Sequence, residues 1–201
     1  MKNDGEIKIR KGLGKRIAEL SQNREYEIYV ETGTMHGNGS TLCFLGALLD
    51  RNDKSKLYTF ETNPSFYKIA CANLKEFDTA KIEYVYGSIV EYSDLPDWKA
   101  WNGTFKEDYQ YNKDLLAAPY VGDKLPSQID VLLLDSGGWS RQAEWNKLKD
   151  CIKVILLDDT LLSTNHIRDE ILKSSQWEVI DDQQDERNGW LCAKRKDNNA
   201  L

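Results

Sequence analysis

The chain has 201 residues, of which 40% are hydrophobic and 30% are charged, and its formal net charge is −6. A chain of this length and composition is expected to form one globular domain over residues 1–201, and it is too apolar to be intrinsically disordered. Proteins that bind nucleic-acid phosphates are usually basic, so the negative charge argues against nucleic acid as the main partner.

Strand-like and helix-like segments alternate through the first half of the chain. Asn63 and Pro64 supply a helix cap and a proline at the first helical position. The pattern predicts, in order, a helix at Arg10–Leu20, a strand at Glu27–Val30, a helix at Ser40–Leu49, a strand at Lys56–Phe60, a helix after Pro64 and a strand at Lys81–Tyr86. Such alternation is typical of a parallel sheet covered by helices.

The second half continues this alternation and ends in a hairpin. Ile129–Leu134 and Val154–Leu157 are continuous branched-aliphatic runs, which suit strands buried on both faces of a parallel sheet. Helices are predicted at Arg141–Lys149 and His166–Leu172, and a hairpin over 177–195 with its turn at Asn188-Gly189. The expected fold class is α/β, with a mostly parallel seven-stranded sheet and a C-terminal antiparallel hairpin.

A long aromatic segment, residues 91–128, separates the third and fourth predicted strands. Connections of this length are uncommon unless they are functional or have structure of their own. The segment is expected to form a helical insertion that covers a sheet edge, or a substrate-binding lid with an aromatic lining. One segment can have both roles. Its aromatic residues are Tyr92, Trp98, Trp101, Phe105, Tyr109, Tyr111 and Tyr120.

The sequence carries no pattern typical of membrane insertion or export. No apolar run approaches the roughly 18–20 residues that span a bilayer, and the N-terminal segment lacks the apolar core of a signal peptide. Cys43, Cys71, Cys151 and Cys192 lie too far apart for a thiolate zinc site. We therefore expect a cytoplasmic protein that does not act on membranes.

A glycine cluster follows the first strand and a carboxylate follows the second. The cluster, ETGTMHGNGS from Glu31 to Ser40, contains neither a P-loop lysine nor the GxGxxG spacing of dinucleotide sites. Glu31 would be a poor neighbour for a phosphate but suits a cationic ligand such as S-adenosylmethionine, which carries an ammonium and a sulfonium. Glu61 is placed to accept hydrogen bonds from both ribose hydroxyls.

Five motifs in order, ETGTMHGNGS, TFETNP, VYGS, LLLDSG and ILLDDT, resemble those of the class I S-adenosylmethionine-dependent methyltransferases. Among these the chain is most similar to the small O-methyltransferases of the catechol and macrocin type. The resemblance implies a Rossmann-like doubly wound fold and methylation of a small-molecule hydroxyl. It implies a cofactor site formed by Glu31, Gly33, Gly37, Gly39, Ser40, Glu61, Ser88 and Asp135.

Three aspartates follow the fourth and fifth strands and are expected to meet at one edge of the sheet. Asp135, Asp158 and Asp159 would repel one another unless a cation or protons compensated their charge. Hard oxygen ligands suit Mg²⁺, and in the metal-dependent O-methyltransferases that the chain resembles the corresponding acids bind that metal. Asp135 and His166 are the candidate catalytic residues, since His166 could reach the same edge as a general base.

The chain also departs from the catechol type. The run after Asp135 is Ser136-Gly137-Gly138-Trp139, without the lysine that those enzymes carry there. A protein that binds the cofactor without catalysis therefore stays open as an alternative, and the missing GxGxxG disfavours a nicotinamide-dependent oxidoreductase. The identity of the methyl acceptor and the oligomeric state stay open as well.

Overall fold

The strands form one seven-stranded sheet in the order β3-β2-β1-β4-β5-β7-β6. The computed structural model describes residues 7–77, 80–97 and 109–196, with the side chains of 109–111 excepted. The first five strands are parallel, and β7 runs antiparallel between β5 and β6. The strands are β1 Ile28–Thr32, β2 Lys56–Glu61, β3 Ile82–Tyr86, β4 Ile129–Leu134, β5 Ile152–Asp158, β6 Trp177–Gln183 and β7 Trp190–Arg195.

Six α-helices lie in the described part of the chain. Five of them are close to their predicted positions, and the sixth, α4, lies in the long insertion. Asn63 caps α3, as predicted, because its side-chain oxygen accepts hydrogen bonds from the backbone N–H groups of Ser65 and Phe66. None of the described helices combines the length and apolar character that crossing a membrane requires. The helices are α1 Gly12–Gln22, α2 Ser40–Leu48, α3 Pro64–Asn73, α4 Tyr109–Ala117, α5 Arg141–Leu148 and α6 Asn165–Lys173.

The central strands are buried on both faces, as their unbroken apolar sequences predict. Every residue of β4 is buried, and alternate side chains enter two separate hydrophobic clusters. Leu132 and Leu134 pack on one face with Trp145 of α5. Val131 and Leu133 pack on the other face with Phe44 of α2. The period of two along each strand therefore builds two cores, one on each side of a single sheet.

The sheet reverses its strand order at β1, which pairs with both β2 and β4. In open α/β sheets a crevice forms outside the carboxyl ends of the strands at such a reversal, and ligands bind there. The predicted fold class, a Rossmann-like α/β sheet with a C-terminal antiparallel hairpin, is confirmed by this topology. The segments after β1 and β4 are the first places to look for a functional site.

The described parts of the long insertion, residues 91–97 and 109–128, make polar contacts beside this crevice. Asp114 of α4 accepts a hydrogen bond from Asn63 Nδ2 at 2.7 Å, and Pro96 accepts one from Trp139 Nε1 at 2.9 Å. Tyr92 and Tyr120 are exposed, so these two do not form the aromatic lining that the sequence suggested. The side chains of the other aromatic residues of the segment lie outside the described part of the structure. These are Trp98, Trp101, Phe105, Tyr109 and Tyr111.

Candidate functional site

A cavity of about 980 Å³ opens at the carboxyl ends of the parallel strands. It lies where the strand order reverses, and residues of α4 close one of its sides. Six of the residues singled out from the sequence meet in its lining. Five come from the ends of β1 to β5 or the loops that follow them, and one comes from α6: Gly33, Glu61, Ser88, Asp135, Asp159 and His166. The topology therefore brings together residues that are up to 133 positions apart in the chain.

The other predicted cofactor residues lie outside this lining. Glu31 is fully buried at the end of β1, where its Oε2 accepts hydrogen bonds from Thr41 Oγ1 at 2.7 Å and Thr59 Oγ1 at 2.6 Å. Burial raises the pKa of Glu31, and the hydroxyl donors oppose that rise. These bonds tie the end of β1 to α2 and β2, and the other carboxylate oxygen of Glu31, Oε1, has no hydrogen-bond partner within the described residues. Gly37, Gly39 and Ser40 likewise belong to the loop and the start of α2.

Gly33 allows two strand ends to approach closely. Its φ is +95°, and a Cβ built there would lie 2.2 Å from the carbonyl oxygen of Asp135. Only glycine fits such a conformation and such an approach without a shift of the backbone. The turn continues through Met35, which has φ +48° although it carries a side chain. This loop borders the cavity at the end of β1 through Gly33 and Met35.

Glu61 is a buried carboxylate that is held by backbone donors. Its Oε2 accepts from Met35 N at 2.7 Å, and its Oε1 accepts from Asn63 N at 2.8 Å. Burial raises its pKa, whereas these hydrogen bonds lower it. Each carboxylate oxygen can accept a second hydrogen bond, so Glu61 presents a fixed acceptor pair to a ligand with two adjacent hydroxyls.

The three aspartates predicted to meet at the edge of the sheet do meet. One carboxylate oxygen from each of Asp135, Asp158 and Asp159 lies within 4.8 Å of the others. Burial raises the pKa of Asp135 well above its usual value, and the charge of Asp158 adds to that rise. Burial also raises the pKa of Asp158. The cluster therefore needs positive charge or protons nearby, as the sequence indicated.

An arginine that the sequence reasoning did not single out supplies positive charge to this cluster. Arg141, the first residue of α5, is buried, and its Nη2 donates to Asp135 Oδ1 at 3.3 Å and to Asp159 Oδ2 at 3.1 Å. Arg187 adds a second positive charge, since its Nη2 lies 2.9 Å from Asp158 Oδ2. Each of the three carboxylates thus has a guanidinium partner.

The guanidinium position decides how well a divalent ion fits here. An ion bound to Asp159 Oδ2 at the usual metal–oxygen distance of about 2.1 Å would lie no more than about 5 Å from Arg141 Nη2, so the charge of the guanidinium would oppose its binding. The carboxylates that would hold Mg²⁺ are also already hydrogen-bonded to Arg141. With Arg141 in this place the residues do not fit a divalent ion, although the donor atoms themselves are close together.

Two further titratable groups line the cavity, one on the helix after β4 and one on the helix after β5. Glu144 of α5 is buried and accepts a hydrogen bond from Ser136 Oγ at 2.7 Å, and burial raises its pKa. His166 stands at the start of α6, with Nδ1 3.3 Å from Asn165 Oδ1. Partial burial lowers the pKa of His166, which Glu170 partly opposes. A neutral imidazole therefore lines the cavity at neutral pH.

Sequence reasoning missed Arg141, Glu144, Met35 and Asn112 in this site. For Arg141 a signal existed, because three converging acids require a cation and Arg141 is the first basic residue after Asp135. For Asn112, which is buried, the segment gave no periodic pattern that could have pointed it toward the cavity.

Solved methyltransferases share this fold. An O-methyltransferase from Bacillus cereus in complex with SAH is 14% identical, with a TM-score of 0.63 over 91% of this chain and 80% of that chain. An SAH-bound methyltransferase from Podospora anserina is 13% identical, with a TM-score of 0.60 over 92% and 78%. An rRNA methylase from Streptococcus thermophilus is 12% identical, with a TM-score of 0.55 over 92% and 94%.

These likenesses confirm that the chain has the fold of the class I S-adenosylmethionine-dependent methyltransferases, as the five motifs predicted. At such identities the likeness concerns the fold. No match was found among protein-family models or curated proteins.

Proposed function

We propose that the protein is an S-adenosylmethionine-dependent methyltransferase that methylates a hydroxyl group of a small molecule. The observation that carries the proposal is the position of Glu61, which is buried, held by two backbone N–H groups and exposed to the cavity at the strand-order reversal. The SAH-bound structures that share the fold support the same cofactor.

The lining residues divide between cofactor and acceptor. Glu61 would accept hydrogen bonds from the ribose hydroxyls, and Gly33 and Ser88 would border the nucleoside and methionine portions. Asp135 would attract the positively charged sulfonium and ammonium groups. Asp159 and His166, on the β5 side, would then stand next to the acceptor.

In the proposed reaction an acceptor oxygen attacks the methyl carbon as the S–CH₃ bond breaks. The products are a methyl ether and S-adenosylhomocysteine, and the acceptor proton must leave. His166 is the candidate base because its lowered pKa keeps the imidazole neutral at pH 7, and Asp135 is the second candidate. The proposed reaction assigns proton removal to these groups and so does not need the lysine that catechol-type enzymes have.

A small-molecule acceptor agrees with the charge of the chain. The net charge of −6 and the carboxylates in the lining would repel a nucleic-acid backbone. The cytoplasmic location and the lack of membrane partners stay predictions from the sequence. Magnesium assistance also stays such a prediction, and the guanidinium beside the carboxylates argues against it.

Calorimetry with S-adenosylhomocysteine and with NAD tests the cofactor. We expect saturable binding of S-adenosylhomocysteine at one site and none of NAD, whereas the reverse result would make the protein a nicotinamide-binding one. A second assay would follow transfer of a labelled methyl group to a panel of phenols, catechols and sugars. Binding without transfer to any of them would favour the non-catalytic alternative.

The pH dependence of the rate then tests the base. If His166 accepts the proton, the rate should rise with pH through a pKa below the usual value of about 6.5 and then stay level. His166→Ala should abolish this rise and most of the turnover while S-adenosylhomocysteine still binds. His36→Ala is the matched control, since His36 lies in the glycine loop and contacts Phe66. An unchanged profile in His166→Ala would move the role to Asp135.

A further inference from the structure

We infer that Arg141 is the resident cation of the acidic cluster and takes the place that a divalent metal ion would need. The charge arrangement is argued from the geometry of the side chains alone. The role of Arg141 in the reaction rests in addition on the proposed methyltransferase function. The inference makes Arg141 a positioning residue, which holds Asp135 toward the proposed cofactor and Asp159 toward the acceptor.

Every nitrogen of the Arg141 guanidinium donates a hydrogen bond. Its Nη2 reaches Asp135 and Asp159, and its Nη1 donates to Ser163 Oγ at 2.6 Å and to Asp158 O at 3.3 Å. Its Nε donates to Ser136 O at 2.5 Å. A guanidinium has five N–H donors, and five oxygen atoms surround this one. Movement away from the cluster would break all five contacts, so the positive charge is fixed.

The position of Arg141 in the fold explains how it reaches both strand ends. It is the first residue of α5, directly after the short loop that follows β4. From there the side chain bonds to the backbone of Ser136 after β4 and of Asp158 at the end of β5. The side chain is 4% exposed. A buried charge of this kind persists where it is paired and hydrogen-bonded.

Side chains of the chain itself compensate much of the charge of the cluster, with two guanidinium groups for three carboxylates. Arg187 pairs with Asp158, and Asn188 Nδ2 donates to Asp159 Oδ1 at 2.9 Å. The Asp159 carboxylate therefore has a donor on each oxygen, one from Arg141 and one from Asn188. A divalent ion between these carboxylates would compete with such donors and would lie close to the guanidinium charge of Arg141. We therefore expect transfer to proceed without added metal.

Binding of Mn²⁺ alone, measured by the electron paramagnetic resonance signal of the free ion, tests the inference on the wild-type protein. The wild type should show no site that depends on the cluster, so that Asp159→Asn binds as little Mn²⁺ as the wild type does. One Mn²⁺ bound by the wild type and lost in Asp159→Asn would overturn the inference, whatever the variants of Arg141 do.

Arg141→Gln removes the charge but keeps a hydrogen-bond donor. Without the guanidinium, the three carboxylates should bind one Mn²⁺ at least about tenfold more tightly than the wild type does, and Arg141→Gln/Asp159→Asn should lose that site. Arg168→Gln is the matched control, since Arg168 also pairs with an aspartate but lies away from the cluster. It should bind Mn²⁺ as the wild type does.

A folded Arg141→Gln that binds no more Mn²⁺ than the wild type would overturn the inference. If Arg141→Gln folds only when Mn²⁺ is present, the ion replaces the guanidinium and the inference is supported. If it folds in neither condition, the wild-type comparison with Asp159→Asn decides. Calorimetry with S-adenosylhomocysteine on the wild type is run separately, so that failure of the proposed cofactor is distinguished from failure of this inference.

Discussion

Glu61 illustrates how a single residue can be prepared for a ligand by the backbone around it. The N–H groups of Met35 and Asn63 fix both of its oxygens, so the carboxylate pays little conformational entropy when a ligand with two hydroxyls binds. Its neighbour Met35 adopts a positive φ in the same loop, which places that N–H within reach. The residue and its loop therefore act as one unit.

Replacing Glu61 by alanine should weaken binding of S-adenosylhomocysteine at least about tenfold, because a hydrogen bond to a charged group contributes roughly 1.5–3 kcal/mol. Calorimetry on the two proteins measures the change. Glu83→Ala is the control, since Glu83 lies on the neighbouring strand β3, pairs with Lys56 and is absent from the cavity lining. Equal affinity in Glu61→Ala and the wild type would show that the ligand does not use this carboxylate.

At the same scale, the sequence predicted single residues well where the chemistry is local and less well where it depends on distant partners. Asn63 was predicted to cap α3 because the cap and its donors are two and three positions apart. Arg141 was missed because its partners Asp158, Asp159 and Ser163 lie 17 to 22 positions away, on an element whose position only the folded sheet defines. Glu31 at the ligand stays a prediction, and the sequence did not indicate that two threonine hydroxyls would bond to its carboxylate.

At the scale of elements, the insertion of residues 91–128 contributes the helix α4 to one side of the cavity. Asn112 and Leu115 of α4 line the cavity, and Asp114 joins α4 to Asn63 beside Glu61. An element with these contacts can respond to a ligand in the cavity. The sequence predicted a lid or an edge cover here, and the helix itself agrees with either, because both would place a helix along this side of the sheet.

Hydrogen exchange of residues 91–128 with and without S-adenosylhomocysteine should distinguish the two. If the insertion acts as a lid, its amide protons should exchange rapidly in the free protein and more slowly in the complex. Exchange in β4, which is buried throughout, provides the internal reference. Strong protection of the insertion that is equal in both states would favour the edge cover.

Another pair of elements, α6 and β6, is joined by an ion pair with a defined pH dependence. Arg168 donates to both oxygens of Asp182, and this hydrogen bonding lowers the pKa of Asp182. The folded state therefore favours the charged carboxylate. The resulting stability is present above the unfolded-state pKa of about 3.9 and is lost as the pH falls through the lower folded-state pKa.

Asp182→Asn should accordingly lower the free energy of unfolding by about 1 kcal/mol at pH 6, the upper range for partly exposed pairs. Urea denaturation at pH 6 and near pH 3 measures the difference, which should shrink at the lower pH. Asp169→Asn is the control, because Asp169 is more exposed and lies 3.9 Å from the same arginine. A loss in Asp182→Asn that is the same at both pH values would contradict the assignment.

At the scale of the whole molecule, the site is a product of the topology. Strand positions followed from the sequence because apolar runs such as those of β4 and β5 have few other structures open to them. The resemblance of the motifs implied a doubly wound sheet, whereas the structure established the spatial order of its strands. The shape of the cavity did not follow, since it depends on α4 and on the loop around Ser163, which have no strong periodic pattern. The site gathers the ends of β1 to β5, so a ligand there should stabilise the entire sheet.

Thermal unfolding of the full chain tests this coupling. S-adenosylhomocysteine at about 100 times its Kd should add about 2.7 kcal/mol to the free energy of unfolding and, for a domain of this size, raise the Tm by roughly 5–10 °C. At the same ligand concentration, a Glu61→Ala protein that binds tenfold more weakly should gain only about 1.4 kcal/mol, or about half of that rise. Glu83→Ala should show the full rise, and NAD should leave the Tm unchanged. A rise that is equally large with NAD, or that is unaffected by Glu61→Ala, would mean that the stabilising ligand does not bind through the carboxylate at the end of β2.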